Sequence, residues 1–232
     1  MNTKHIRMMI DILMTILSVV LMGGTVLFAD DRVHQILGMV QLGLWVVHTV
    51  LNHRWYGSIF RGRYNAYRIM QTIVNVGITL CAVLLFVSGM SMAWFMPVGI
   101  GLGAARIIHL VSSHWYYIFM AFHLGMHISM IFSTIKINRF GKIPNLLILI
   151  VIILICGYGI FAFIIRGVWK YMFGVQQFFF LDLDRGYVLF AIDYVAILVL
   201  LAAVSHFVTK TLVQTKIQKS SNKKQTTDDA GD

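Results

Sequence analysis

The 232-residue sequence contains no glutamate; all nine of its acidic residues are aspartates. It has two cysteines and two prolines, and only 12% of its residues are charged. That is about half the charged share of a soluble domain. Two cysteines cannot frame a disulfide-stapled secreted fold. The apolar content of 59% excludes a disordered chain. Together with a mean hydropathy of +0.80 it also excludes a water-soluble globule. What is left is an integral membrane protein made of lipid-facing and self-packed helix.

The formal net charge is +10, from 19 Lys and Arg. Nucleic-acid binding would need a basic face on a folded surface. Here the basic residues sit in short clusters between apolar runs, so no nucleic-acid partner is expected. Six apolar stretches follow one another at about 8–28, 33–52, 70–96, 107–134, 146–169 and 187–209. A helix rising about 1.5 Å per residue needs roughly 20 residues to cross about 30 Å of hydrocarbon. Each stretch is long enough. The sequence thus predicts an all-α, polytopic membrane helical bundle of about six transmembrane helices in contact with lipid. The second and fourth stretches are rich in histidine and read less cleanly as spans than the fifth.

With an inner N-terminus, 14 of the Lys and Arg fall on inner segments, in clusters such as Arg54, Arg61, Arg63 and Arg68, or Lys136, Arg139 and Lys142. Five fall outside: Arg32, Arg106, Arg166, Lys170 and Arg185. This split predicts a multi-pass protein of the cell membrane with both termini cytoplasmic. The first stretch reads as an uncleaved helix, being longer than a signal-peptide core and lacking a small-residue cleavage site. Three parts are expected. Residues 1–135 form a four-helix core, 136–212 add two further transmembrane helices, and 213–232 form a disordered cytoplasmic tail.

Nine histidines in so apolar a chain need a reason, because ionisable groups in a bilayer are costly. His34 and His48 are 14 residues apart in the second stretch, and His109 and His123 are 14 apart in the fourth. At about 100° per residue, 14 steps return to within about 40° of the start and rise about 21 Å. Each pair therefore shares a helix face, with one member near each membrane surface. The two helices run in the same direction, and both His34 to His109 and His48 to His123 are 75 residues. His34 is level with His109, and His48 with His123. An imidazole on each side of a haem iron supplies two axial nitrogens. Two such haems at two depths make an electron path across the bilayer. The four histidines are thus candidate iron ligands for two non-covalent b haems. No Cys-x-x-Cys-His is present, which excludes covalent c-type attachment.

Other residues fall around this pattern. His127, one turn from His123 on the same face, is a rival inner ligand, or a partner for a propionate or a quinone. Gly38, one turn from His34, would let a flat macrocycle approach the backbone. Arg106 could pair an outer propionate and Arg54 an inner one, or both could snorkel at the interface. His114 points about 140° away from His109 and does not share its haem. Asp11, Asn75 and His206 lie in the inner third as a candidate proton or quinone site. Asp11 and Asp193 need a partner, a water cavity or a proton. Cys81 and Cys156 read as packing thiols. Two rival readings remain. One is a transporter whose intramembrane His and Asp line a proton or metal path. The other is a plain membrane anchor. Neither demands the matched spacing.

The run His34-Gln-Ile-Leu-Gly38 with His48 and Asn52 resembles the haem-binding helix of the flavinylation-associated cytochromes. His109-Leu-Val-Ser-Ser-His-Trp115, followed by His123-Leu-Gly-Met-His127, is similar to their second histidine helix. Tyr158 through Met172, Phe178-Phe-Phe-Leu-Asp182 and Asp193-Tyr194 are similar to the closing helices of longer members. The resemblance covers roughly residues 6 to 210. It implies a multi-helix b-type cytochrome that passes electrons between a quinone pool or cytoplasmic donor and extracytoplasmic proteins carrying covalent FMN. On that reading the chain is an electron-transfer subunit rather than a stand-alone enzyme.

Overall fold

Each of the six apolar stretches contains a long helix in the computed structural model, which describes residues 3–24, 28, 30–61, 64–95, 99–135, 145–180 and 186–228. The long helices are α1 (Thr3–Leu21), α2 (Asp31–Leu51), α4 (Ala66–Met92), α5 (Leu102–Ile135), α6 (Asn145–Ile165) and α8 (Gly186–Asp228). Two short ones, α3 (His53–Ser58) and α7 (Val168–Met172), follow α2 and α6. There is no strand among the described residues. Expectations resting on Arg63, Asp182, Arg185 and the basic segment 136–142 lie outside the described residues.

Local chemistry sets several helix ends. The Asp30 carboxylate accepts from Arg32 N at 2.9 Å and caps α2, with Asp31 in the first turn. Asn65 caps α4 in the same way through Arg68 N. After α6 the chain turns through Gly167 at φ 59°, a left-handed conformation open to glycine. The first helix begins and ends earlier than its apolar run predicts, because the chain turns at Met22–Gly24, with Gly24 at φ 61°. At the other end, the polar segment expected to be disordered from 213 continues α8 helically to Asp228. Its Lys and Gln are good helix formers, which composition alone scores only as polar.

Four helices are long and apolar enough to cross a membrane: Asp31–Leu51, Ala66–Met92, Leu146–Ile165 and Gly186–Gln214. The first turns of α1 carry Lys4, His5, Arg7 and Asp11, and α1 falls short of that measure. So does α5, despite its 34 residues, because four histidines and paired serines dilute it. On α6, residues 146–154 present one exposed Leu, Ile or Val after another. Such a patch suits lipid and would not persist in water.

The bundle is organised around α5, which packs on α4 and on α8, while α8 also packs on α6. Glycines permit these close crossings. A Cβ at Gly125 would lie 2.3 Å from the Ala202 carbonyl oxygen, and one at Gly159 would lie 2.6 Å from that of Ala196. The buried core sits here, with Tyr117, Tyr194 and Ile197 almost fully enclosed. In contrast, α1 and α2 form an antiparallel pair that meets the rest lightly. Arg7 Nη2 donates to the Leu51 carbonyl at 2.8 Å at one end, and Gln41 Nε2 donates to Ser18 Oγ at 3.0 Å further along. α2 touches α4 sparsely and α5 scarcely at all through the backbone. A gap is left between α2 and the α4–α5 wall.

Candidate functional site

Two imidazole pairs bridge that gap. The His34 and His109 rings face each other with centroids 6.2 Å apart and planes at 68°. The His48 and His123 centroids are 6.4 Å apart with planes at 76°. The matched spacing of 14 therefore becomes two near-perpendicular pairs, separated by about 21 Å of helix rise.

Most of these rings are held through Nδ1. His109 Nδ1 donates to the Leu85 carbonyl at 3.1 Å, with Ser88 Oγ at 3.4 Å. His123 Nδ1 donates to Asn75 Oδ1 at 2.8 Å, and His48 Nδ1 to Asp11 Oδ1 at 2.7 Å. Carbonyl and carboxylate oxygens only accept, so the proton belongs on Nδ1 in the neutral ring. That leaves the Nε2 lone pair for a metal. Asn52 Nδ2 lies 3.5 Å from His48 Nε2, a long contact that does not close it. His34 Nδ1 is buried with no hydrogen bond of good geometry. It has only a loose interaction with the Gly24 backbone.

Haem fits what these residues offer. Two metal–nitrogen bonds of about 2 Å, with about 1 Å from each nitrogen to its ring centre, give about 6 Å between centroids. Both pairs match. The His34–His109 pair also opens on a cavity of about 520 Å³, within the usual range of cofactor sites, about 300–1,000 Å³. Its wall includes His34, His109, Gly38, Gly89, Arg106 and Phe178. A Cβ at Gly38 would have nothing within 4 Å, so this wall is open there. At Gly89 a Cβ would press on the His109 ring at 3.2 Å. Glycine at 89 is thus what lets that imidazole sit where it does. The exposed Arg106 lines the cavity, with its guanidinium carbon 5.1 Å above the Phe178 ring.

The remaining sequence candidates fall into place around these pairs. The His127 ring is 4.7 Å from that of His123, on the same helix. The ring that stands across the gap from His48 at 6.4 Å is that of His123. His114 turns away and stacks on Tyr171 at 4.7 Å, its Nδ1 donating to the Leu110 carbonyl at 2.8 Å. Asp11 and Asn75, grouped from sequence with His206, instead hold His48 and His123 respectively. His206 is half-buried on α8. Asp193 is paired with Arg166 at 2.7 Å, and Tyr158 donates to its other oxygen. Cys81 and Cys156 are both free thiols. No group of three or more His, Cys, Asp or Glu side chains converges as a metal cage among the described residues.

One pair went unnoticed in the sequence. Gln41 is buried, and its Nε2 donates to Tyr116 Oη at 3.2 Å as well as to Ser18. Gln41 to Tyr116 is again 75 residues, and each lies midway between the histidines of its helix. The repeated offset was the signal available. Comparison with family models, curated proteins and solved structures finds no match for this chain.

Proposed function

We propose that this protein is a membrane b-type cytochrome that carries electrons across the cell membrane through two bis-histidine haems. In this reading all six long helices span the bilayer, both termini are cytoplasmic, and the first four long helices form the haem-binding core. The observation that carries it is the pair of facing imidazoles at 6.2 and 6.4 Å on α2 and α5, one toward each surface. Haem, when bound, supplies a one-electron carrier. The chain's own residues do the rest. His34 and His109 would ligate at the outer level, and His48 and His123 at the inner level. Leu85, Asn75 and Asp11 orient the rings and fix the Nδ1 proton. Gly38 leaves room for a flat group, and Gly89 makes room for the His109 ring. Arg106 lines the outer cavity, where an acidic substituent of the macrocycle would meet a cation.

The resemblance noted above extends this proposal to partners. The inner partner would be a quinone pool or a cytoplasmic redox partner, and the outer partner a protein carrying covalent FMN, with electrons passing between them. The transporter reading has less support, because Asp193 is tied to Arg166 and Tyr158 and Asp11 to His48. A dithionite-reduced minus air-oxidised spectrum of the purified protein, with haem b counted per chain, tests the proposal. Low-spin b-type bands and two haems per chain are expected. No haem in a folded, haem-supplied preparation overturns it and favours a His/Asp transport path.

A further inference from the structure

The two histidine pairs have the same spacing but unequal surroundings. At the inner pair, His48 Nδ1 donates to the Asp11 carboxylate at 2.7 Å and His123 Nδ1 to the neutral Asn75 amide oxygen. At the outer pair, His109 has a backbone carbonyl at 3.1 Å, and His34 Nδ1 has no formed bond. Only the inner pair has a carboxylate against a ring nitrogen. Arg7, one turn from Asp11, directs its guanidinium to the Leu51 carbonyl. Asp31 and Arg106 both line the outer cavity, one charge of each sign, and among the described residues no carboxylate oxygen there is hydrogen-bonded to a ring nitrogen.

A carboxylate is a stronger acceptor than a peptide carbonyl, and its hydrogen bond makes the imidazole a better donor to a metal. Stronger donation and nearby negative charge both favour the oxidised iron over the reduced one. We infer that Asp11 is a positioning residue that sets the inner haem site at a lower reduction potential than the outer one, biasing the protein toward moving electrons from the cytoplasmic side outward. The inference rests on the proposed di-haem reading and adds a direction to it. It requires no proton or bond change within the chain. One electron leaves the inner site, which is oxidised, and arrives at the outer site, which is reduced.

The test is a spectroelectrochemical titration of the full-length, haem-loaded protein. Two waves are expected, and His48→Ala should remove the lower one. Asp11→Asn keeps an acceptor but drops the charge. It should move only the lower wave upward and narrow the gap, and Asp11→Glu should reverse most of that shift. Asn75→Asp places a second carboxylate against the inner pair and should move the same wave down. It decides the matter if Asp11→Asn fails to retain haem. The inference is overturned if His48→Ala removes the upper wave, or if Asp11→Asn moves neither wave, the upper wave, or both equally. A protein without haem bands would instead sink the cytochrome proposal itself.

Discussion

Replacing His123 with alanine should take the haem content from two per chain to one, while replacing His127 should leave it at two. The two rings belong to one helix face, one turn apart, and sequence spacing does not separate them. Distance does. An iron held between two imidazoles needs ring centres about 6 Å apart, from two bonds of about 2 Å and about 1 Å inside each ring. His48 to His123 is 6.4 Å, within a few tenths of that value. The ring contact of His127 is instead with His123, at 4.7 Å on its own helix, one turn further along. Asn75 strengthens the assignment by holding the His123 ring at 2.8 Å. Partners of this kind are typically worth about 10–100-fold in metal affinity. The assay is haem extracted and counted per chain for both variants, with gel filtration to establish that each is folded. A His127→Ala protein with one haem beside a His123→Ala protein with two would refute the geometric reasoning.

Gly38→Leu should cost the outer haem yet leave the haem-free protein at least as stable as before. Its Cβ would meet nothing within 4 Å, and removing a helical glycine gains up to about 1 kcal/mol. Haem counting and thermal unfolding of the haem-free protein check the two halves, and unchanged haem content would mean that the macrocycle does not lie on that wall. Asp193→Leu should destabilise by about 3–5 kcal/mol, because Arg166 is left as a buried, uncompensated charge. At about 2–4 °C per kcal/mol for a chain of this size, the midpoint should fall by roughly 6–20 °C. Adding Arg166→Met should recover most of that loss, and a double variant as unstable as the single one would contradict the pairing.

Much of this architecture is legible in the sequence because membrane helices announce themselves by apolar length, and because histidine is rare enough in such helices for its spacing to carry meaning. The facing of His34 with His109 and of His48 with His123 follows from a shared offset on helices running the same way. What the sequence does not reveal is pairing between helices whose rotational settings are unknown. Asp11 and Asn75 read as a loose polar group, since nothing in α1 or α4 alone says which neighbour each will meet. Arg166 reads only as one of the cations of the outer segments. The packing of α6 on α8 is what places it beside Asp193. Residues 213–232 read as disordered because charge and low complexity outweigh helix propensity in composition, yet over 213–228 the backbone is helical.

The polar contact between Gln41 and Tyr116 makes α2 and α5 resemble a coiled coil opened at the seam. His34, Gln41 and His48 recur every seven residues, as do His109, Tyr116 and His123. A straight α-helix drifts by about 20° per heptad against such a repeat, so two helices that keep facing each other over two heptads are drawn toward a left-handed supercoil. In an ordinary coiled coil, interlocking side chains fill the seam at every level. Here the middle level is closed by an amide and a phenol, while the levels above and below are held apart by imidazoles. The glutamine–tyrosine layer thus works as a register pin. It joins α2 to α5 at the midpoint, between the two histidine layers.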